Sequence, residues 1–228
     1  MNVVIDLETL STEHDAAIVT LGAAFVANNK IVEVFYAGIP VSVAAEAGGD
    51  VSVDTLIWWL TKAGKDALLE ATYDSAVSTL QLAADETDLL ARFSMAVNKA
   101  TLRHSDGVEC CVWGNGSTFD ITILESAYKR NGMTPPWAFW AVRDMRTIRA
   151  EVNSLSQMLG HGEIARPKPD RPHVALSDAK AEAEELINLR RYVEAVAKDY
   201  KAFVAREGEA VEPGTIAKAL APEGLDDA

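Results

Sequence analysis

The sequence predicts an α/β domain on a mixed central sheet, an antiparallel hairpin side plus parallel strands, flanked by helices. Three observations carry this. The chain opens on Val3-Val4-Ile5, a β-branched run that reads as a buried strand. Two more apolar runs, 16–26 and 30–38, are separated only by the turn signal Asn28-Asn29, which makes them antiparallel neighbours. Beyond residue 85, strand-like and helical patterns alternate, as they do when strands are added in parallel.

In order, the first strand covers Val3 to Glu8 and the second and third form the hairpin. Residues 40–53 are small and irregular and read as a loop. Asp54 then reads as the N-cap of a helix through Trp58-Trp59. Adjacent tryptophans cannot share one helix face, so one is expected in the core and the other along a groove, unless both pack inward. Residues 85–104 form a helix with Leu89, Leu90, Phe93 and Val97 on one face. Val108–Trp113 is a central strand, broken by Gly114-Asn115-Gly116. A helix opens at Ser117–Asp120 and stops at Gly132, before Pro135-Pro136. A short strand at 139–143 leads into a helix ending near Leu159. Residues 160–172 form a loop rich in Gly, Pro, Lys and Arg. From His173 to Glu207 the pattern is one long helix, alanine-rich at its start. Residues 1–207 are expected to be the working domain and 208–228 an acidic tail or short appendage.

Composition narrows the function. No apolar run reaches the roughly 18 residues of a membrane span, and no basic leader precedes the first strand, so neither a membrane helix nor a secretory signal is expected. The two cysteines, Cys110 and Cys111, are adjacent and point to opposite faces of a strand, a poor disulfide pair. A cytoplasmic location is expected (host cytoplasm for a phage-encoded protein). The formal charge of -13 argues against a broad basic face for nucleic acid, but not against local grip on a few nucleotides.

The chemistry starts at Asp6-Leu7-Glu8. On a strand the two acids share one side and Leu7 takes the other. Neighbouring carboxylates resist ionising together, so the pair suggests a hard cation such as magnesium or manganese between them. An isolated Asp-x-Glu reads as a solvated strand end; two later stretches change that. Phe119-Asp120 again delivers an acid where a strand hands over to a helix, although alone Asp120 reads as an acid answering the helix dipole. His173 and Asp178 lie five residues apart, so they face one spot only if His173 sits at or before the helix cap.

In order, Asp6-Leu7-Glu8, Phe119-Asp120 and His173 with Asp178 resemble the three motifs of the DEDDh exonucleases, in the DnaQ-like superfamily with an RNase H-like fold. The resemblance covers about residues 1–195. Trp58-Trp59, the run Trp113–Asp120 and Arg143-Asp144-Met145-Arg146-Thr147 are similar to the branch containing phage exonuclease A and related bacterial 3'-5' exoribonucleases. Thr9-Leu10-Ser11 departs from the Thr-Thr-Gly or Thr-Gly of many members. The resemblance implies a metal-dependent 3'-5' exonuclease that releases nucleoside 5'-monophosphates. Two divalent ions, Mg2+ or Mn2+, would be held by Asp6, Glu8, Asp120 and Asp178. Asp6 would bridge both; Glu8 and Asp178 would complete one ion and Asp120 the other. His173 would be the general base.

Substrate contacts are expected at Thr9, Leu10, Trp59, Asn115, Phe119, Arg143 and Arg146. Thr9 would meet the 3' hydroxyl, and Leu10 and Phe119 would sandwich the terminal base, although Phe119 also reads as core. Between 143 and 171 stand six bases (Arg143, Arg146, Arg149, Arg166, Lys168, Arg171) against four acids, a local patch suited to one or two phosphates or to structural ion pairs. The expected partner is a single-stranded 3' end, with DNA favoured over RNA on likeness to the phage enzyme. Short oligonucleotides are an alternative substrate, and a non-catalytic interaction module is a rival class. Some relatives are dimers, so a homodimer stays open.

Overall fold

The computed structural model describes residues 1–63, 80–105 and 110–207. The start of the expected 108–113 strand and the 208–228 tail lie outside them. The chain divides into two compact units, Met1–Leu189 and Arg190–Ala228. The described part of the second, 190–207, is helical.

The sheet has six strands: β1 (Asn2–Thr9), β2 (Ile18–Ala27), β3 (Lys30–Gly38), β4 (Gln81–Leu82), β5 (Cys111–Gly114) and β6 (Val142–Asp144), in the order β4-β3-β2-β1-β5-β6. β1–β2 and β2–β3 pair antiparallel; β1–β5, β5–β6 and β3–β4 pair parallel. The expected mixed sheet is therefore present. β1 lies between one antiparallel and one parallel neighbour, with Val3, Val4 and Ile5 sealed from water. β2 is buried along all ten residues, whereas the first half of β3 alternates exposed and half-buried side chains.

Among the described residues the helices are α1 (Val41–Glu46), α2 (Val53–Thr61), α3 (Glu86–His104), α4 (Asp120–Arg130), α5 (Met145–Met158) and α6 (Ala175–Glu207), with a 3-10 turn at Phe139–Ala141. α3 packs on β2 and β3 through Leu89, Leu90, Phe93 and Val97, the predicted face. α4 packs on β1, β2 and β5. Four expectations are corrected. The 40–53 loop contains α1, whose Ala44 is fully buried in the core; packing rather than propensity makes that turn helical. The N-cap of α2 is Ser52, whose Oγ accepts from Thr55 N, and Asp54 sits in the first turn, where the helix dipole favours it. The 139–143 strand shrinks to Val142–Asp144. The last helix starts at Ala175 rather than His173.

The start of α6 is seated on the sheet by one glycine. Gly22 stands opposite Asp6 in the β1–β2 register, and a Cβ there would lie 2.3–2.4 Å from backbone atoms of Ala175 and Leu176. Its absence lets the helix backbone reach the strand that carries the first acid. Val174, Ala175, Ala179 and Ala183 are fully buried, so the alanine-rich pattern is this close-packed face.

Candidate active site

Asp6 and Glu8 emerge on one face of β1 into a cleft of about 840 Å³, while Leu7 points into the core. Asp120, the first residue of α4, Asp178, in the first turn of α6, and His173, just before it, line the same cleft. One carboxylate oxygen each from Asp6, Glu8 and Asp178 lies within 4.8 Å of the others. These are the three acids that the resemblance assigned to a single ion. Asp120 is outside that triplet but tied to it, because its Oδ1 accepts from the backbone N–H of Leu7 at 3.3 Å.

The electrostatics are those of a site short of positive charge. Burial, then the charges of Asp120 and Glu8, push the Asp6 carboxyl well above its ordinary range. Burial pushes Asp120 up to about 7, against the opposing Leu7 N–H and the charge of Arg146. Asp178 is raised by burial, although backbone N–H groups of His173 and Val174 favour its charged form. Among the described residues, neither Arg nor Lys forms an ion pair with Asp6, Asp120 or Asp178. Buried oxygens that repel one another and lack a protein cation are a donor set suited to a hard divalent ion.

His173 adopts φ +61°, a left-handed conformation that sets its ring before the helix instead of on it. The five-residue spacing to Asp178 needs this. The ring is exposed and stands edge-on to Trp58, centroids 5.0 Å apart.

The expected substrate contacts divide. Thr9, Trp59, Asn115, Phe119 and Arg146 line the cleft. Phe119 packs half-buried against the core and also borders the cleft. Trp59 is buried and its Nε1 donates to Thr9 O at 3.0 Å, so it braces the end of β1. Trp58, 38% exposed, also lines the cleft, so the pair splits into one buried and one more exposed ring, both bordering it. Leu10 is a correction: it is 2% exposed, part of the core, and absent from the cleft wall. Its backbone is fixed through Ala17 O and Ser52 N, which turns the side chain inward and removes the base-wedge role. Arg143 is a second correction. It lies outside the cleft, donating to the carbonyls of Trp140 and Val142 at 2.6 and 2.9 Å. Of the basic patch, Arg146 and Arg166 line the cleft, whereas Arg149 is bound to Glu185.

Sequence reasoning missed Glu182. It lies one helical turn beyond Asp178 on α6, lines the cleft, and is held up to about 8 by burial and by the charge of Asp120. The i,i+4 spacing from Asp178 was its only sequence signal.

An RNase H-like sheet that brings acids from its central strand and two helix starts into one cleft defines a nuclease of the DEDDh class, a hydrolase of phosphodiester bonds. The chain belongs to the Rv2179c-like 3'-5' exoribonuclease domain family, whose model matches residues 1–189. No curated protein sequence matches it. Among solved structures, a 3'-exonuclease recognising the 3' end of histone mRNA stem-loop aligns at TM-score 0.51 and 13% identity, over 84% of this chain and 63% of that one. The E. coli ExoI–ssDNA complex aligns at TM-score 0.50 and 14% identity, over 86% of this chain and 42% of that one. The nuclease domain of 3'hExo, a DEDDh family member bound to rAMP, aligns at TM-score 0.49 and 16% identity, over 83% and 91%. The chain thus spans less than two thirds of the first two of these structures. No described helix is long and apolar enough to cross a membrane.

Proposed function

We propose that the protein removes nucleoside 5'-monophosphates one at a time from the 3' end of single-stranded nucleic acid, with two divalent ions, Mg2+ or Mn2+, at the acid cluster. The observation that carries this is the convergence of Asp6, Glu8 and Asp178 oxygens within 4.8 Å, with Asp120 bound to the same strand. When bound, the ions supply Lewis-acid stabilisation of the attacking and leaving oxygens of the phosphodiester.

The chain's own residues do the rest. Asp6, Glu8 and Asp178 would hold one ion, and Asp6 with Asp120 the other. His173, at the mouth of the cleft, takes a proton at an imidazole nitrogen from the attacking water. Trp58 and Phe119, on the cleft wall, stack the terminal bases. Arg146 and Arg166 receive phosphates. Thr9, at the bulge that ends the β1–β2 register, meets the 3' terminus.

RNA is the first substrate to test, because the family's description is an exoribonuclease. The DNA expectation finds its support in the ssDNA-bound structural neighbour. Matched 5'-labelled RNA and DNA oligomers, with Mg2+ or Mn2+, should both shorten from the 3' end if the sugar is unread, and RNA alone if it is read. His173→Ala should lower kcat by about 10²–10⁴-fold with Mn2+ affinity unchanged. Wild-type turnover in that variant removes its role, and products longer than mononucleotides reject the exonuclease.

A further inference from the structure

The face of α6 that carries Asp178 also carries Glu182 and Glu185, at i+4 and i+7. Both glutamates are buried, but they are treated differently. Glu185 is paired with Arg149 at 2.5 Å and reached by Arg166 at 3.5 Å. Glu182, 6% exposed, has no basic partner in an ion pair among the described residues, and its Oε2 has no hydrogen-bond partner at all. Its contact with protein is the Asn115 side chain, which in turn accepts from Arg149 Nη2 at 3.4 Å. A chain of fixed groups, Glu185–Arg149–Asn115, therefore ends on Glu182 and holds it at the cleft wall. A buried carboxylate oxygen left without a donor bears its full desolvation cost, and a fold that can answer Glu185 with two arginines has the means to answer Glu182. It does not. Glu182 is repelled by Asp6, Asp120 and Asp178, and a favourable charge near it, Arg166, is ion-paired to Glu185 instead.

We infer that Glu182 is a fifth carboxylate of the catalytic centre, serving the divalent ion on the Asp120 side while Glu8 and Asp178 serve the other. This rests on the two-ion reading above and deepens it, since it assigns the second ion a carboxylate that the motif-matched residues do not provide. Asn115 is then a positioning residue, holding one glutamate oxygen so that the other is left for the cation.

Mn2+ titration of the full chain, followed by the electron paramagnetic resonance signal of free Mn2+, tests this without turnover. The wild type is expected to bind two ions. Glu182→Gln should keep one at unchanged affinity and weaken the other by about 10–100-fold. Its melting temperature in EDTA should equal or exceed that of the wild type, because the amide still serves Asn115 while repulsion is removed. Glu182→Asp, which keeps the charge but shortens its reach, should also weaken one ion and serves if the amide variant does not fold. Two ions bound with wild-type affinity in either variant would overturn the inference while leaving the two-ion reading intact. So would a lower melting temperature in EDTA with Mn2+ binding unchanged, the mark of a structural residue. A wild type that binds fewer than two ions breaks the two-ion reading itself, and the inference with it.

Discussion

Glu86, 2% exposed, accepts from Arg130 Nε at 2.8 Å, from Arg130 Nη2 at 2.5 Å and from Asn131 Nδ2 at 2.6 Å, and Arg130 goes on to the carbonyls of Asp15 and Ala16. That carboxylate ties the start of α3 to the end of α4 and to the loop before β2. Asp6 on β1, Asp120 on α4 and Glu182 on α6 repel one another across the cleft, and no arginine forms an ion pair with any of them among the described residues. Both groups are costly charges taken from water. In the first the protein supplies the counter-charge; in the second it withholds it. One set of buried acids is neutralised within the fold, and the other, eased by the more distant charges of Arg146 and Arg166, is a donor set suited to a cation.

The sharpest way to break this contrast is to neutralise one acid in each set. Asp6→Asn should lower kcat by about 10³-fold, on the scale of losing a single preorganised group at a transition state, with little loss of stability in EDTA. Glu86→Gln should do the reverse. It strands the Arg130 charge, so urea titration should show a loss of about 3–5 kcal/mol, while kcat of the folded fraction is retained. Equal stability losses in both variants would show that the two sets are built alike.

A pH series sharpens the same contrast. The folded-state values of Asp6, Asp120 and Glu182 lie above their ordinary ones, Asp120 at about 7 and Glu182 at about 8. The stability these groups contribute is therefore fully present below the ordinary carboxylate range near 4 and is lost as pH rises through those folded values. In EDTA the melting temperature should fall between about pH 4 and pH 8, and saturating Mg2+ or Mn2+ should flatten the fall. A flat profile in EDTA would mean the acids do not repel as placed.

The smallest effect belongs to the rim. Trp58→Ala removes the exposed ring beside His173 and should raise KM by an amount equivalent to about 1–3 kcal/mol, leaving Mn2+ binding unchanged. Trp59→Ala, which cuts the bond to Thr9 O, should instead lower stability. Identical behaviour of the two variants would erase the division between them.

Much of this site was legible in the chain. Asp6 and Glu8 were readable because strand alternation is a local rule, and the buried run before them marks the strand as internal. The place of His173 ahead of the helix was implied by arithmetic, since a five-residue spacing to Asp178 cannot close on a helix face, whereas its left-handed backbone was not. Other residues could not be read this way. Leu10 stood where a wedge was expected, yet the backbone bonds to Ala17 and Ser52 turn it inward. Arg143 sits one residue from an acid that caps α5, and its side chain turns to nearby carbonyls instead. Glu182 repeats Asp178 at one helical turn, but many surface helices carry acids at that spacing. Only its burial and its missing partner distinguish it.

The sequence by itself determined most of the strands and long helices, which acids lie on strand and helix ends, and the chemistry those oxygens suit, because these follow from local periodicity and residue type. Only the tertiary structure decided which acids meet, which are answered by arginine, and which tryptophan is free. Convergence depends on close approaches such as Gly22 against Ala175, which bring distant segments together at a spacing no local pattern encodes.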